Sequence, residues 1–354
     1  MGLNQADRAA IAKAVSVGTS DLAVPLSGEA AAFLAGIAAR DLGRLHEFPE
    51  FSDSLQSFFE VEPPDSMSLR GVDYMGVLDR LSDMDRDAVM YFGCLAHLQK
   101  ARLKYAQIEK HQPMPTIEQV GPRGLLQYGR MSSKALTGLL LWRKFFYDLD
   151  NRAGQETGYL FEPIIASCIG GAPAPSGKSP VKRHDQPTKG RQVDCVREKT
   201  AYEFKIRVTI AASGQGRWKE EMDFPLDCQT SDFVPALVVF DGTPNPKLEE
   251  LQAAFKRQGG NAYIGEHAWQ HLEELAGTTM SKFLQRYVRQ PIDDLLSNTP
   301  AEGQMPDIQL RMDGRSLLVS IGGDEFSVQR EPRGENGTGP DELPEGADEI
   351  VPGP

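Results

Sequence analysis

The chain has 354 residues, a formal net charge of −12 and 40% hydrophobic residues, a composition typical of an ordinary globular protein. No apolar run approaches the ~20 residues of a membrane-spanning helix, and the first residues lack the basic and apolar regions of a signal peptide. We therefore expect a cytoplasmic protein with no membrane partner. The four cysteines lie far apart without a CxxC pair, which favours reduced thiols over disulfides or a zinc site.

Helical periodicity predicts that residues 1–150 form a helical region. Residues 9–17 and 29–42 are alanine-rich and amphipathic, and residues 73–110 repeat apolar side chains at spacings of three and four. Residues 133–150 are apolar around most of the helix circumference, so we expect this helix to be well buried. Prolines at 63–64 and between 113 and 122 separate these helices into groups.

The pattern changes to mixed α/β over residues 151–330, which we predict to be a second region. A buried strand is predicted at 234–240, and short strands are predicted between 308 and 330. Residues 331–354 hold seven acids and one arginine, and thus half of the net charge. This tail is rich in glycine and proline and has almost no core-forming residues, so we expect it to be disordered.

The chemistry of the second region concentrates in residues 192–210. Alternation predicts a strand that buries Tyr202 and Phe204 and turns Glu203 and Lys205 to the opposite face. Asp194 lies on a preceding short strand that one hairpin would bring opposite. Two carboxylates beside a lysine suit a Mg²⁺ site for phosphodiester hydrolysis, with Asp194 and Glu203 as metal ligands. The alternative is an amphipathic hairpin with a solvated Glu–Lys face, but charges on a central strand are costly unless they are used.

This spacing resembles the motif of the PD-(D/E)xK nuclease superfamily, with Val193 in place of the usual proline. The sequence of residues 203–223 and 243–247 is similar to that of type II restriction endonucleases of the ApaLI-like family. The resemblance implies an α/β fold, a restriction-endonuclease-like mixed sheet of about five strands flanked by helices. Residues 151–330 would be the nuclease core with C-terminal strands, and residues 1–150 would serve DNA recognition or dimerisation.

The resemblance further implies a Mg²⁺-dependent endonuclease that cuts double-stranded DNA at a specific, palindromic site. Asp194, Glu203 and Lys205 would be catalytic. Glu162 would join them because the superfamily often places an acid on the helix before the motif, although the alternative is a helix-surface charge. A homodimer is expected from the palindrome, and a cognate DNA methyltransferase is expected as a functional rather than physical partner.

Two segments around the motif carry the predicted DNA contacts. The basic run before Asp194 supplies Lys182, Arg183 and Arg191, although a solvated loop is an equal alternative. The segment after the motif strand combines small residues with side-chain types that bind phosphates and base edges. Its predicted contacts are Arg207, Gln215, Arg217 and Lys219, whereas Trp218 is expected to pack on the core.

Two other functions remain open from the sequence. One is a structure-specific or repair nuclease of the same superfamily, which would cut without reading a sequence. The other is a catalytically silent nuclease-like scaffold that only binds DNA. The presence of Asp194, Glu203 and Lys205 together argues against a silent scaffold.

Overall fold

Helices dominate the N-terminal part of the chain, as the periodicity predicts. The computed structural model describes residues 2–16, 22–51, 55–206 and 215–331, without the side chains of residues 215–217 and 302. The helices of this part are α1 Gln5–Val15, α2 Gly28–Asp41, α3 Tyr74–Met84, α4 Ala88–His111, the short α5 Ile117–Val120 and α6 Ser133–Cys168. The predicted stretch 73–110 is two helices rather than one, because Asp85 takes an extended conformation between α3 and α4.

Helix α6 is the longest of the described elements, with 36 residues. The helix that carries Glu162 is the same helix that begins at Ser133, and it continues past Pro163 to Cys168. The predicted boundary at residue 150 therefore lies inside a continuous helix. Burial of the 133–150 stretch is also only partial, because Leu139 and Tyr147 keep 42% and 59% of their surface exposed.

A mixed sheet of five strands forms the centre of the molecule, as the resemblance implies. Its strands are β1 Ala172–Ala174, β2 Val193–Arg197, β3 Thr200–Lys205, β4 Val234–Val239 and β5 Asn261–Ile264. They lie in the order β1-β2-β3-β4-β5. The first two pairings are antiparallel and the last two are parallel. The predicted motif strand, β3, is therefore the central strand of the sheet.

Each face of this sheet is covered by its own apolar core. The remaining helices are α7 Gln215–Thr230, α8 Pro246–Arg257, α9 Glu266–Leu284 and α10 Gln290–Ser297. On one face, Tyr202, Phe204 and Val238 share a core with α2, α3, α4 and α9. On the other face, Leu237 and Val239 join a separate core with α7 and α8. Strand β4 is thus apolar on both faces, which explains its continuous apolar sequence.

A second, smaller sheet follows at the C-terminal end, where the sequence predicts short strands. Its strands are β6 Ile308–Asp313, β7 Ser316–Ile321 and β8 Asp324–Gln329, all antiparallel. Gly314, at φ +57°, makes the tight turn between β6 and β7 that the Asp-Gly pair predicts. Leu317 and Val319 of β7 pack on Phe145 of α6.

The structure also bears on the expectations about cysteines, membranes and the tail. All four cysteines are buried and none forms a disulfide. Of the helices described, none combines the length and the apolar composition needed to cross a bilayer. The tail predicted to be disordered lies outside the described residues from residue 332 onward.

Candidate active site

The hairpin of β2 and β3 places the two motif acids side by side, as predicted. Cys195 pairs with Tyr202, and continuing this register by one pair places Asp194 opposite Glu203. The backbone N–H of Phe204 donates a hydrogen bond of 2.8 Å to Asp194 Oδ2, which fixes this carboxylate against β3. Strand β3 ends at Lys205, and residues 207–214 lie outside the described part of the chain. Opposing residues of an antiparallel pair share a face, so both carboxylates project on one side.

Lys205 lies between two carboxylates. Its Nζ is 3.1 Å from Glu203 Oε1 and 3.2 Å from Glu221 Oε1, and only 15% of its side chain is exposed. Burial acts to lower the pKa of Lys205. The carboxylates of Glu203, Glu221 and Asp194 outweigh this effect, so that the pKa lies above its ordinary value. Lys205 is therefore a fixed positive charge at neutral pH.

The surroundings of Asp194 disfavour its charged form, whereas those of Lys205 favour its charged form. Burial, followed by the neighbouring charges of Glu203 and Glu162, raises the pKa of Asp194 well above its ordinary value. The Phe204 N–H and Lys205 act in the other direction without cancelling that shift. The charges of Glu203 on β3 and of the predicted Glu162 on α6 thus both act on the Asp194 carboxylate.

This electrostatic repulsion fits a divalent cation. Carboxylate oxygens are the hard ligands that Mg²⁺ and similar ions prefer, and a dication would offset the repulsion that raises the pKa of Asp194. Across the described ranges, no three His, Cys, Asp or Glu side chains are grouped closely enough to hold an ion by themselves. Asp194 and Glu203 would therefore act with water or phosphate oxygens, as is common for Mg²⁺.

In the basic run before Asp194, Arg183 and Arg191 form ion pairs within the protein. Arg183 donates to both carboxylate oxygens of Glu220, at 2.7 and 2.9 Å. Lys182 donates to the Ser179 carbonyl at 2.8 Å and its side chain remains exposed. Lys182 is thus exposed, whereas Arg183 is partly buried.

Arg191, which was predicted to contact DNA, is buried and ion-paired within the protein. It is only 6% exposed, and its guanidinium pairs with Asp227 at 3.2 Å and lies over the Phe224 ring. Asp227 also accepts from the backbone N–H of His184 at 2.7 Å. Arg191 thus links the loop that precedes β2 to α7. Moving Arg191 out to contact DNA would leave Asp227 buried without this counterion.

The predicted contacts after the motif strand are only partly described. Arg207 lies outside the described residues, and the side chains of Gln215 and Arg217 do as well, although both residues belong to α7. Lys219 is exposed at the start of α7. Trp218 packs on the core as expected, with Lys247 Nζ 4.2 Å from its ring centroid.

Sequence reasoning missed Glu221. Its signal is the spacing within α7, where Phe224 and Cys228 are buried three and seven residues further along. Residues at this spacing share one side of a helix. Glu221 is therefore an acid on the side of α7 that faces the sheet, a position that an apolar residue would ordinarily occupy.

Comparison with known proteins shows the family of the chain. Residues 62–289 match the family of ApaLI-like restriction endonucleases. A curated relative, the type II restriction enzyme ApaLI of Acetobacter pasteurianus, is 49% identical over 272 residues, which cover 73% of this chain and 72% of that relative. No solved structure matches the chain. The matched range contains the whole candidate site, and the match confirms the resemblance inferred from the motif. The chain therefore belongs to the ApaLI-like restriction endonuclease family.

Proposed function

We propose that Asp194, Glu203 and Lys205 form the catalytic centre of this site-specific endodeoxyribonuclease, with Mg²⁺ as the cofactor. Type II restriction enzymes generally need a divalent metal ion. The observation that supports the proposal is the convergence of two carboxylates and a buried lysine on the central hairpin, with Lys205 Nζ 3.1 Å from Glu203.

Each residue has a separate task in the proposed mechanism. Asp194 and Glu203 would hold the cation, which when bound polarises the scissile phosphate and makes a water more acidic. The Phe204 N–H keeps Asp194 oriented toward the site. Because Lys205 is protonated, its role is to orient the attacking water and to offset negative charge on the phosphorane. A base would need the neutral amine, which the neighbouring carboxylates disfavour.

We further propose that Glu162 supports this centre from α6. Its charge contributes to the raised pKa of Asp194, so the two carboxylates interact. A nearby acid of this kind tunes the electrostatics of the ligands or holds a water of the cation.

The catalytic proposal is tested with plasmid DNA incubated with Mg²⁺, Ca²⁺ or EDTA, followed by sequencing of the ends. The enzyme should yield ends of one sequence in Mg²⁺. Asp194→Ala, Glu203→Ala and Lys205→Ala should each lower cleavage by roughly 10²–10³-fold. DNA binding in Ca²⁺ should persist, and Asp223→Asn on α7 serves as the control. Near-normal cleavage by Lys205→Ala would contradict the proposed centre, and nicking without sequence preference would favour a repair nuclease.

For DNA binding, we propose Lys182, Arg183, Arg207, Gln215, Arg217 and Lys219 as contacts, and we omit Arg191. Exposed cations beside the site favour phosphate binding through counterion release. Gln215 and Arg217 are the types that read base edges. Substituting Lys182 or Lys219 should weaken binding to all sequences alike, whereas Gln215→Ala or Arg217→Ala should reduce discrimination between sequences.

We propose that the enzyme acts as a homodimer at a palindromic site, because a two-fold axis presents the same base edges to each subunit. Leu136, Leu140 and Phe145 of α6 are buried within the chain, so we place the subunit contact elsewhere in the helical region. The 125–139 face, which we define by the exposed apolar side chains Leu125, Leu126, Tyr128, Met131 and Leu139, remains available.

Leu126→Asp should convert a dimer to a monomer in analytical ultracentrifugation and replace double-strand breaks by nicks, because it places a charge in the proposed contact. A wild-type monomer that cuts both strands would contradict the dimer. A DNA methyltransferase that protects the same site is proposed as the functional partner, and the cytoplasm as the location.

A further inference from the structure

Glu221 is a fourth carboxylate at the site and lies outside the motif. It belongs to α7, whereas Glu203 and Lys205 belong to β3. Lys205 Nζ lies almost equally far from the two carboxylates, at 3.1 Å from Glu203 Oε1 and 3.2 Å from Glu221 Oε1. Both glutamate side chains are 20% exposed. One ammonium group therefore has two counterions that come from different elements.

The packing of α7 fixes this arrangement. Phe224 and Cys228 are buried in the core beneath the helix, and they hold the side of α7 that carries Glu221 against the sheet. A carboxylate on such a side is unfavourable unless it is paired. Neighbouring Glu220 pairs instead with Arg183, on the loop. Glu221 therefore has Lys205 as its partner, and the docking of α7 brings the two together.

Two cations are attracted to the Glu203 carboxylate, and Glu221 reduces the competition between them. Lys205 and a divalent cation are both positive and both attracted to the Glu203 carboxylate, so they compete for it. A cation on Glu203 would also repel the ammonium group beside it. Glu221 offers Lys205 a second counterion, which comes from α7 and not from β3. The ammonium group then stays in the site while the Glu203 carboxylate is released.

We propose that Glu221 is a positioning residue that holds Lys205 on the α7 side and thereby frees Glu203 for the cation. This inference rests on the roles proposed above for Glu203 and Lys205. Without Glu221, Lys205 has Glu203 as its remaining close counterion and competes more strongly with the metal. The effect of Glu221 on metal binding is therefore exerted through Lys205, and it disappears when Lys205 is removed.

The experiment measures Mn²⁺ binding to the full-length protein without DNA, from the electron paramagnetic resonance signal of the free ion. Glu221→Ala should weaken Mn²⁺ binding by roughly 10-fold, the scale of losing a group that orients a ligand. Lys205→Ala should tighten binding, because it removes the competitor. The double variant should bind Mn²⁺ like Lys205→Ala. Glu221→Gln keeps the side-chain shape and should show a smaller loss, which guards against a folding defect in the alanine variant.

The controls separate the possible failures. Asp223→Asn removes an acid from the same helix and should leave Mn²⁺ binding unchanged. An equal loss from Glu221→Ala with and without Lys205 would make Glu221 a direct ligand and overturn the inference, as would no loss in either background. Glu203→Ala should abolish binding. If it binds Mn²⁺ normally, the proposed cation site itself fails, which is a result distinct from failure at Glu221.

In single-turnover cleavage, Glu221→Ala should need roughly 10-fold more Mg²⁺ for half-maximal rate. DNA affinity in Ca²⁺-free EDTA buffer should match that of the wild type, because Glu221 acts on the cation and not on the duplex. A changed DNA affinity with an unchanged Mg²⁺ requirement would contradict the positioning role.

Discussion

At the scale of single residues, Asp194 combines a fixed geometry with unfavourable electrostatics. The Phe204 N–H holds its carboxylate in place, while burial, Glu203 and Glu162 oppose its ionisation. The fold therefore maintains a carboxylate where its negative charge is destabilising. Such an arrangement is common at functional sites, where a ligand supplies the missing stabilisation.

The raised pKa of Asp194 predicts that Asp194→Asn stabilises the metal-free protein at neutral pH. The folded state binds its proton more tightly than the unfolded state, so the penalty is absent in acid and grows as the pH rises above the ordinary carboxyl range. In EDTA at pH 7–8, the variant should melt a few degrees higher than the wild type. The gain should vanish at low pH and shrink in Mg²⁺. A lower melting temperature in EDTA would contradict this account of the site.

The hairpin residues could be predicted from the sequence because their geometry is local. Alternation along β3 and a short turn suffice to bring Asp194 opposite Glu203. Glu221 could not be found this way, because its contact with Lys205 depends on how α7 docks on the sheet. Arg191 was assigned to DNA for the same reason, since a sequence of cations does not show that Asp227 lies beneath it.

At the scale of elements, the loop before β2 is fastened to α7 by ion pairs. Arg191 bridges Asp227 and Glu220, and Arg183 joins Glu220 as well. The same helix, α7, also carries Glu221, which pairs with Lys205 of the hairpin. Helix α7 therefore contacts both this loop and the catalytic hairpin. The predicted strands at 234–240 and between 308 and 330 are present, and the predicted helix start at residue 133 is that of α6, whereas the break at Asp85 was not predicted.

Arg191→Ala should destabilise the protein by about 3–5 kcal/mol, because Asp227 would remain buried without its counterion. Urea denaturation measures the change. The salt dependence of DNA binding at a temperature where the variant is folded should remain that of the wild type. Lys219→Ala provides the contrast, with unchanged stability and a shallower salt dependence. A shallower salt dependence for Arg191→Ala would restore it as a DNA contact.

At the scale of the whole molecule, the sheet joins the N-terminal helices to the catalytic hairpin. Leu34 of α2 and Phe204 of β3 belong to the same core. The helices are thus part of the support of the site, in addition to the recognition or pairing roles predicted for them. Helix content was predictable from periodicity, but this shared core was not, because it depends on contacts between residues far apart in the chain.

Leu34→Ala should cost about 2–5 kcal/mol, as expected for a fully buried leucine. Because the core is shared, hydrogen exchange should show lower protection in β4 as well as in α2. Cleavage at low temperature should be unchanged. Loss of protection confined to α2 would show that the helices and the sheet open independently.

Removal of residues 332–354 should leave cleavage of the specific site intact and strengthen binding to non-specific DNA. This segment carries six acids and one arginine, so its loss removes charge that repels phosphates. Gel-shift titrations with a duplex that lacks the site measure the change. Loss of folding after truncation would contradict the expected dispensability of the tail.

The 36 residues of α6 also limit how this enzyme can vary. A straight helix of that length measures about 54 Å, and each residue turns the chain by about 100°. One inserted residue between Ser133 and Glu162 would therefore rotate Glu162 by more than a quarter turn relative to the 125–139 face. Insertions of about seven or eleven residues would nearly restore the angular phase, at the expense of a longer axial separation. In relatives where both Glu162 and the 125–139 face are functional, the length of α6 should therefore differ by nearly whole helical turns. The lengths of loops can differ by any number of residues.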